Sequence, residues 1–126
     1  MRSVLALLFF MGVLIYPQEK WTAPTSASKI KNPIALTNKI IAKGKKTYTK
    51  ICQTCHGTNG LGDGAAAKDL NPKPASFKDS TVQAQTDGAL FWKISEGKGA
   101  MSSYKNLLTT DHRWQLVHYL RTFKVK

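Results

Sequence analysis

Three stretches of the chain carry apolar residues at helical spacing. In the first, Ile40, Gly44, Tyr48 and Ile51 follow one another at steps of four, four and three, with Ile41 beside them. That is one stripe along a helix, and Lys39, Lys43, Lys45, Lys46 and Lys50 occupy much of the remainder. Thr37 or Asn38 can cap its start. Gly44 falls inside the helix at a cost of about 1 kcal/mol relative to alanine, which is most easily explained if another helix crosses closely there. The second stretch predicts a helix over about 87–96, with Thr86 as cap, Leu90, Phe91 and Ile94 on its apolar side and Gly97 as its stop. Trp92 fits either core or rim. The third runs from Thr109, as N-cap, to about Phe123. Asp111 complements the dipole in its first turn. Trp114, Val117 and Leu120, flanked by Leu116, Tyr119 and Phe123, give it a face broad enough to pack across Gly44.

The segments outside these helices divide the chain. An apolar run of 13 residues, Val4 to Tyr16, follows Arg2; it is short of the roughly 20 residues a membrane span needs and reads as an export signal over residues 1–16. Cleavage is expected between Tyr16 and Ala27, with an uncleaved anchor as the alternative. Residues 17–36 carry Pro17, Pro24 and Pro33 without a sustained apolar period and read as an extended arm. Trp21 within it suggests that the arm packs back on the domain formed by residues 37–126. At 126 residues the chain makes one small domain. Nineteen Lys and Arg against seven Asp and Glu give +12, reduced by one if Arg2 leaves with the leader. A charge of this size steers acidic partners.

The chemistry is concentrated in Cys52-Gln53-Thr54-Cys55-His56. Two thiols one helical turn apart, followed directly by histidine, match the attachment pattern of a c-type haem: each thiol can form a thioether to a vinyl group, and His56 is delivered beneath the iron. These are the only two cysteines, so no third thiol completes a structural zinc site, and neither His112 nor His118 has finger spacing from them. A thioredoxin-like redox pair would follow a strand, and no β-rich run precedes Cys52. Gly57, Gly60, Gly62 and Gly64 then suit tight turns against a flat macrocycle; no phosphate-loop signature accompanies them. In Asn71-Pro72-Lys73-Pro74 the prolines hold carbonyls in a rigid frame, from which one can accept the Nδ1 hydrogen of His56. Pro72, Pro74, Phe77 and Tyr104 are candidate pocket residues.

Met101 completes the set. The other two methionines, Met1 and Met11, lie in the leader, so Met101 is the one thioether left to the domain. It stands in a glycine-flanked loop 45 residues after His56 and is the candidate sixth ligand of the iron. His112 and His118 are rivals.

In this order, CxxCH, GxGDG, the NPxP loop, a GxxxM loop ending in tyrosine, and a final RWxLVxYLRT helix resemble the class I c-type cytochromes, over Leu36 to Lys126. The likeness is closest to small monohaem domains that accompany bacterial respiratory oxidases and dehydrogenases. It implies an all-α fold of about three to five helices around one covalently attached haem, the first and last helices crossing at Gly44, Tyr48 and Trp114. It further implies thioethers at Cys52 and Cys55, His56 as proximal ligand and Met101 as distal ligand. Ser102 departs from the proline that often follows the methionine. An iron with both axial positions filled exchanges single electrons and has no open site for substrate. The expectation is therefore a periplasmic electron carrier rather than an enzyme, meeting redox proteins with acidic faces and binding no nucleic acid or small-molecule substrate. Alternatives are a haem enzyme or gas sensor with a labile methionine, and a fixed subunit of an oxidase or dehydrogenase.

Overall fold

The computed structural model describes residues 20–126, so the run read as a leader lies outside the described residues. In chain order they form α1 (Thr25–Ser28), α2 (Asn38–Ile51), α3 (Gln53–His56), a 3-10 turn at Ala67–Asp69, α4 (Ser80–Gln83), α5 (Asp87–Glu96) and α6 (Thr110–Arg121). The described residues contain no strand, only an isolated antiparallel bridge between Lys98 and Met101. The three long helices start at threonine caps: the hydroxyls of Thr37, Thr86 and Thr109 accept from the amides of Ile40, Ala89 and His112, each at 3.2 Å. α6 ends two residues earlier than its pattern suggests, with Thr122 and Phe123 turning back to Tyr119 and Leu120.

The fold turns on the crossing of α2 and α6. A Cβ at Gly44 would lie 2.2 Å from the Gln115 carbonyl oxygen and 2.9 Å from Tyr119 Cβ, so only glycine lets the two backbones approach this closely. Gln115 and Tyr119 thus meet Gly44, rather than Trp114, which stacks on Phe91 of α5 at 3.9 Å and 14°. A single residue step turns a helix by about 100°, enough to move a side chain from one neighbouring helix to the next. Tyr48, Leu116 and Val117 are fully enclosed between these elements.

α6 is covered on more than one side, which explains why Arg113 to Val117 are buried without interruption. α2 and α5 take two faces and the arm takes a third. Asn32 donates through Nδ2 to the Trp114 carbonyl at 3.1 Å, and His118 donates through Nε2 to the Ile34 carbonyl at 2.7 Å. α1 lies on α5, where a Cβ at Gly88 would fall 2.1 Å from the Ala27 carbonyl oxygen. Trp21 places its ring 5.1 Å from Lys93 Nζ. At the far end, Arg121 pairs with Asp87 at 2.7 Å and donates to the carbonyls of Gln83 and Gln85, closing α6 onto the α4–α5 link.

Candidate haem site

α2 gives way to α3 at Cys52, and the same helical turn continues: Cys55 N and His56 N both donate to the Cys52 carbonyl, at 3.2 and 2.9 Å. The two thiols therefore stand one turn apart, both half-buried. Burial, and next the neighbouring Cys55, push the Cys52 thiol up to about 12. Among the described residues no three His, Cys, Asp or Glu side chains gather as a metal cluster.

Gly57 ends α3 at φ +79°, and the chain folds back over it. Gly62 N donates to the His56 carbonyl at 2.9 Å, Gly64 N to Cys55 at 3.0 Å and Ala66 N to Thr54 at 3.0 Å. The last carbonyls of the helix, which have no partner inside it, are thus satisfied by the loop. Tyr48 adds its hydroxyl, donating to the Gly57 carbonyl at 2.6 Å, and Phe77 N donates to Gly60 at 2.7 Å. Space is tight enough that a Cβ on Gly62 would fall 2.2 Å from the Pro74 carbonyl oxygen.

This loop fixes the imidazole. His56 Nδ1 donates to the Ala75 carbonyl at 3.1 Å, and Phe77 stacks on the ring at 4.4 Å and 25°. The acceptor lies one residue past the proline loop instead of within it. Pro72 is exposed and Pro74 half-buried, with its carbonyl against Gly62. With Nδ1 committed as a donor, Nε2 carries the lone pair, the form in which a histidine binds a metal. Burial lowers the His56 pKa, and the bond to Ala75 opposes that shift.

The candidate sixth ligand is carried by the loop after α5. Gly97 leaves the helix at φ +68°, and Lys98 and Met101 exchange backbone hydrogen bonds at 2.9 and 3.0 Å. Met101 is half-buried and packs with Cys52 and Tyr104 against the cluster that contains Phe77, Tyr48 and Trp114. Burial raises the Tyr104 pKa, with further contributions from Cys52 and Cys55. His112 is exposed, and the Nε2 of His118 is engaged by the arm.

The donor set fits a haem: two thiols one turn apart, an oriented imidazole with a free Nε2, a thioether, and an apolar surround. Ala75 was not readable from sequence, because any residue can supply a backbone acceptor. Phe77 was readable as an aromatic near the site, but its stacking on His56 was not.

A sequence profile described as "Cytochrome C oxidase, cbb3-type, subunit III" matches residues 39–120, more than half of the chain. No curated protein sequence matches. A chain of the Kuenenia stuttgartiensis reducing HAO-like protein complex Kustc0457/Kustc0458 superposes with a TM-score of 0.66 at 28% identity, over 76% of this chain and 50% of its own length. This protein therefore spans half of that relative. The structure titled KustC0563 c-type cytochrome superposes with a TM-score of 0.58 at 32% identity, over 65% of this chain and 98% of its own. With profile, helical architecture and cytochrome likeness in agreement, the chain belongs to this family and is a class I c-type cytochrome, a domain type that implies haem c.

Proposed function

We propose that the protein is a monohaem electron carrier in which Cys52 and Cys55 hold the haem covalently, His56 is the proximal ligand and Met101 the distal one. The observation that carries this reading is the setting of His56: Nδ1 is tied to Ala75 and one ring face is covered by Phe77, leaving Nε2 as the donor. Haem iron bound on both sides supplies one-electron exchange, with a potential that methionine raises relative to bis-histidine ligation. The chain's part is to hold both ligands still, keep the site apolar and present a docking surface. No catalytic residue is assigned.

Lys39, Lys43, Lys46 and Lys50 repeat at steps of four, three and four along one side of α2. Lys43, Lys46 and Lys50 border an open groove of about 460 Å³ that also includes Ile51, Leu108 and His112 and is lined by no carboxylate. Ile51 adjoins Cys52 in the chain, so an acidic redox protein seated here would stand next to the attachment site. Attraction of this kind speeds encounter and weakens with salt. Export to the periplasm follows from reading residues 1–16 as a signal. Among the described residues no helix is long and apolar enough to cross a membrane.

A second reading, a fixed cytochrome subunit of a larger assembly, is favoured by the likeness to a chain of a multi-protein complex. Spectra of the purified holoprotein test the carrier. A far-red sulfur-to-iron charge-transfer band in the oxidised form, and no carbon monoxide binding in the reduced form at neutral pH, are expected. Ready binding of carbon monoxide would overturn it in favour of a haem enzyme or gas sensor. Co-purification with a membrane complex would favour the fixed subunit.

A further inference from the structure

The loop that carries Met101 has little stiffness of its own. All five prolines of the chain lie at or before Pro74, and Gly97 and Gly99 sit at φ +68° and +57°. Ser102 brings no ring constraint. What holds the loop is its attachment to the last turn of α5. Tyr104 N donates to the Ile94 carbonyl and Lys105 N to the Ser95 carbonyl, both at 3.2 Å. The Ser103 hydroxyl donates to the same Ser95 carbonyl at 2.6 Å. Three bonds thus converge on two carbonyls that the end of a helix leaves without internal partners.

Ser95 is itself held from behind. Its hydroxyl donates to the Phe91 carbonyl at 2.7 Å and accepts from Arg113 Nη1 of α6. Arg113 is only 7% exposed and Ser95 4%. Among the described residues the guanidinium has no carboxylate as a hydrogen-bond partner: Nη2 reaches Thr110 Oγ1 at 3.3 Å, the Phe91 ring lies 4.8 Å away, and Nε has no partner there. A buried cation costs free energy unless its surroundings answer it. Here the answer comes from Ser95, Thr110, Phe91 and the negative end of α5. An arginine is therefore spent on steadying one serine, and that serine anchors the methionine loop.

We propose that Arg113 and Ser95 form a clamp that positions Met101, and that the Ser103 hydroxyl is the contact through which the loop is gripped. The inference rests on Met101 being the distal ligand. The three are positioning residues: they act through the loop and touch neither iron nor substrate.

The clamp sets how easily an outside ligand displaces Met101, because displacement requires the loop to lift from α5. Titration of the oxidised holoprotein with imidazole at pH 7 measures this. Ser103→Ala removes one hydrogen bond, so imidazole should bind about tenfold more tightly, the equivalent of one net bond. Ser103→Thr keeps the hydroxyl and should restore the parent affinity. Thr86→Ala removes the cap at the opposite end of α5 and should destabilise the domain without changing imidazole affinity. Unchanged affinity in Ser103→Ala, with the charge-transfer band present in the parent, overturns the clamp alone. An equal gain in Thr86→Ala overturns it too, since general loosening would then suffice. A parent protein lacking the band overturns the ligand assignment and the clamp with it.

Discussion

The two sides of the proposed site are held by different means. On the His56 side the chain from Gly57 to Phe77 folds back on α3 through main-chain bonds to the carbonyls of Thr54, Cys55 and His56, and even the histidine's acceptor is a carbonyl. On the Met101 side the loop after Gly97 is tied to α5 by two main-chain bonds, from Tyr104 to the Ile94 carbonyl and from Lys105 to the Ser95 carbonyl, and by one side-chain bond, from the Ser103 hydroxyl to Ser95, while Lys98 and Met101 pair within it. Main-chain bonds depend on the path of the backbone, so glycines that permit the path matter most. The Ser103 bond depends on a single hydroxyl, so that part of the grip can be tuned by one substitution. In the proposed site the His56 side is built to stay, and the Met101 side has one contact open to adjustment.

Removing the fixed side should have the largest effect. His56→Ala is expected to abolish stable holoprotein, read as loss of covalently bound haem in the exported chain; normal haem content with an intact spectrum would remove the asymmetry altogether. Next comes a matched pair of glycines. Gly62→Ala forces positive φ on alanine and drives a Cβ to 2.2 Å from the Pro74 oxygen, whereas Gly99 has positive φ but nothing within 4 Å. The first should cost roughly 2–5 kcal/mol, combining the left-handed penalty with overpacking, and the second about 1–2 kcal/mol. Denaturant melts of the two proteins decide it, and equal losses would mean that the two loops are equally confined.

Met101→Ala should spare the fold more than the function. Its side chain is half-buried, so the loss should be about 1–2 kcal/mol, below the 2–5 typical of fully buried methionines. The charge-transfer band should vanish and the potential fall; an unchanged band would refute the assignment. The smallest effect is expected at Asp79, where the loop leaves the His56 side and caps α4. Its carboxylate accepts from Thr81 N at 2.8 Å and from the Thr81 hydroxyl at 2.9 Å, which lowers its pKa below the ordinary 3.8. A lowered pKa means that the stabilisation is present above the unfolded value and disappears as pH falls through the folded one. Asp79→Asn should therefore flatten stability slightly at acidic pH and leave the spectrum unaltered.

Much of the scaffold was legible in the sequence. The long helices show a full apolar period, and Thr37, Thr86 and Thr109 mark their starts by chemistry that acts within three residues. α1 and α4 were not legible because four residues hold no period to read. The crossing at Gly44 was legible, yet its partner was misread by one residue: Trp114 is the larger side chain, but Gln115 and Tyr119 face the glycine. Cys52, Cys55, His56 and Met101 stand out by residue type. Ala75, Ser95 and Arg113 do not, since one acts through its backbone and the other two through a contact with each other 18 residues apart.

The reach of α6 bears on how the domain comes to be finished. Asn32 bonds to Trp114 across 82 residues and His118 to Ile34 across 84, while α2 leans on a helix that ends at Arg121. Such distant pairings form late. During synthesis neither the arm nor α2 has its seat until α6 has emerged. Residues 52–56 are made more than fifty residues before that point. The Cys52–His56 motif is thus presented on a chain that is still open, and α6 closes the door behind it.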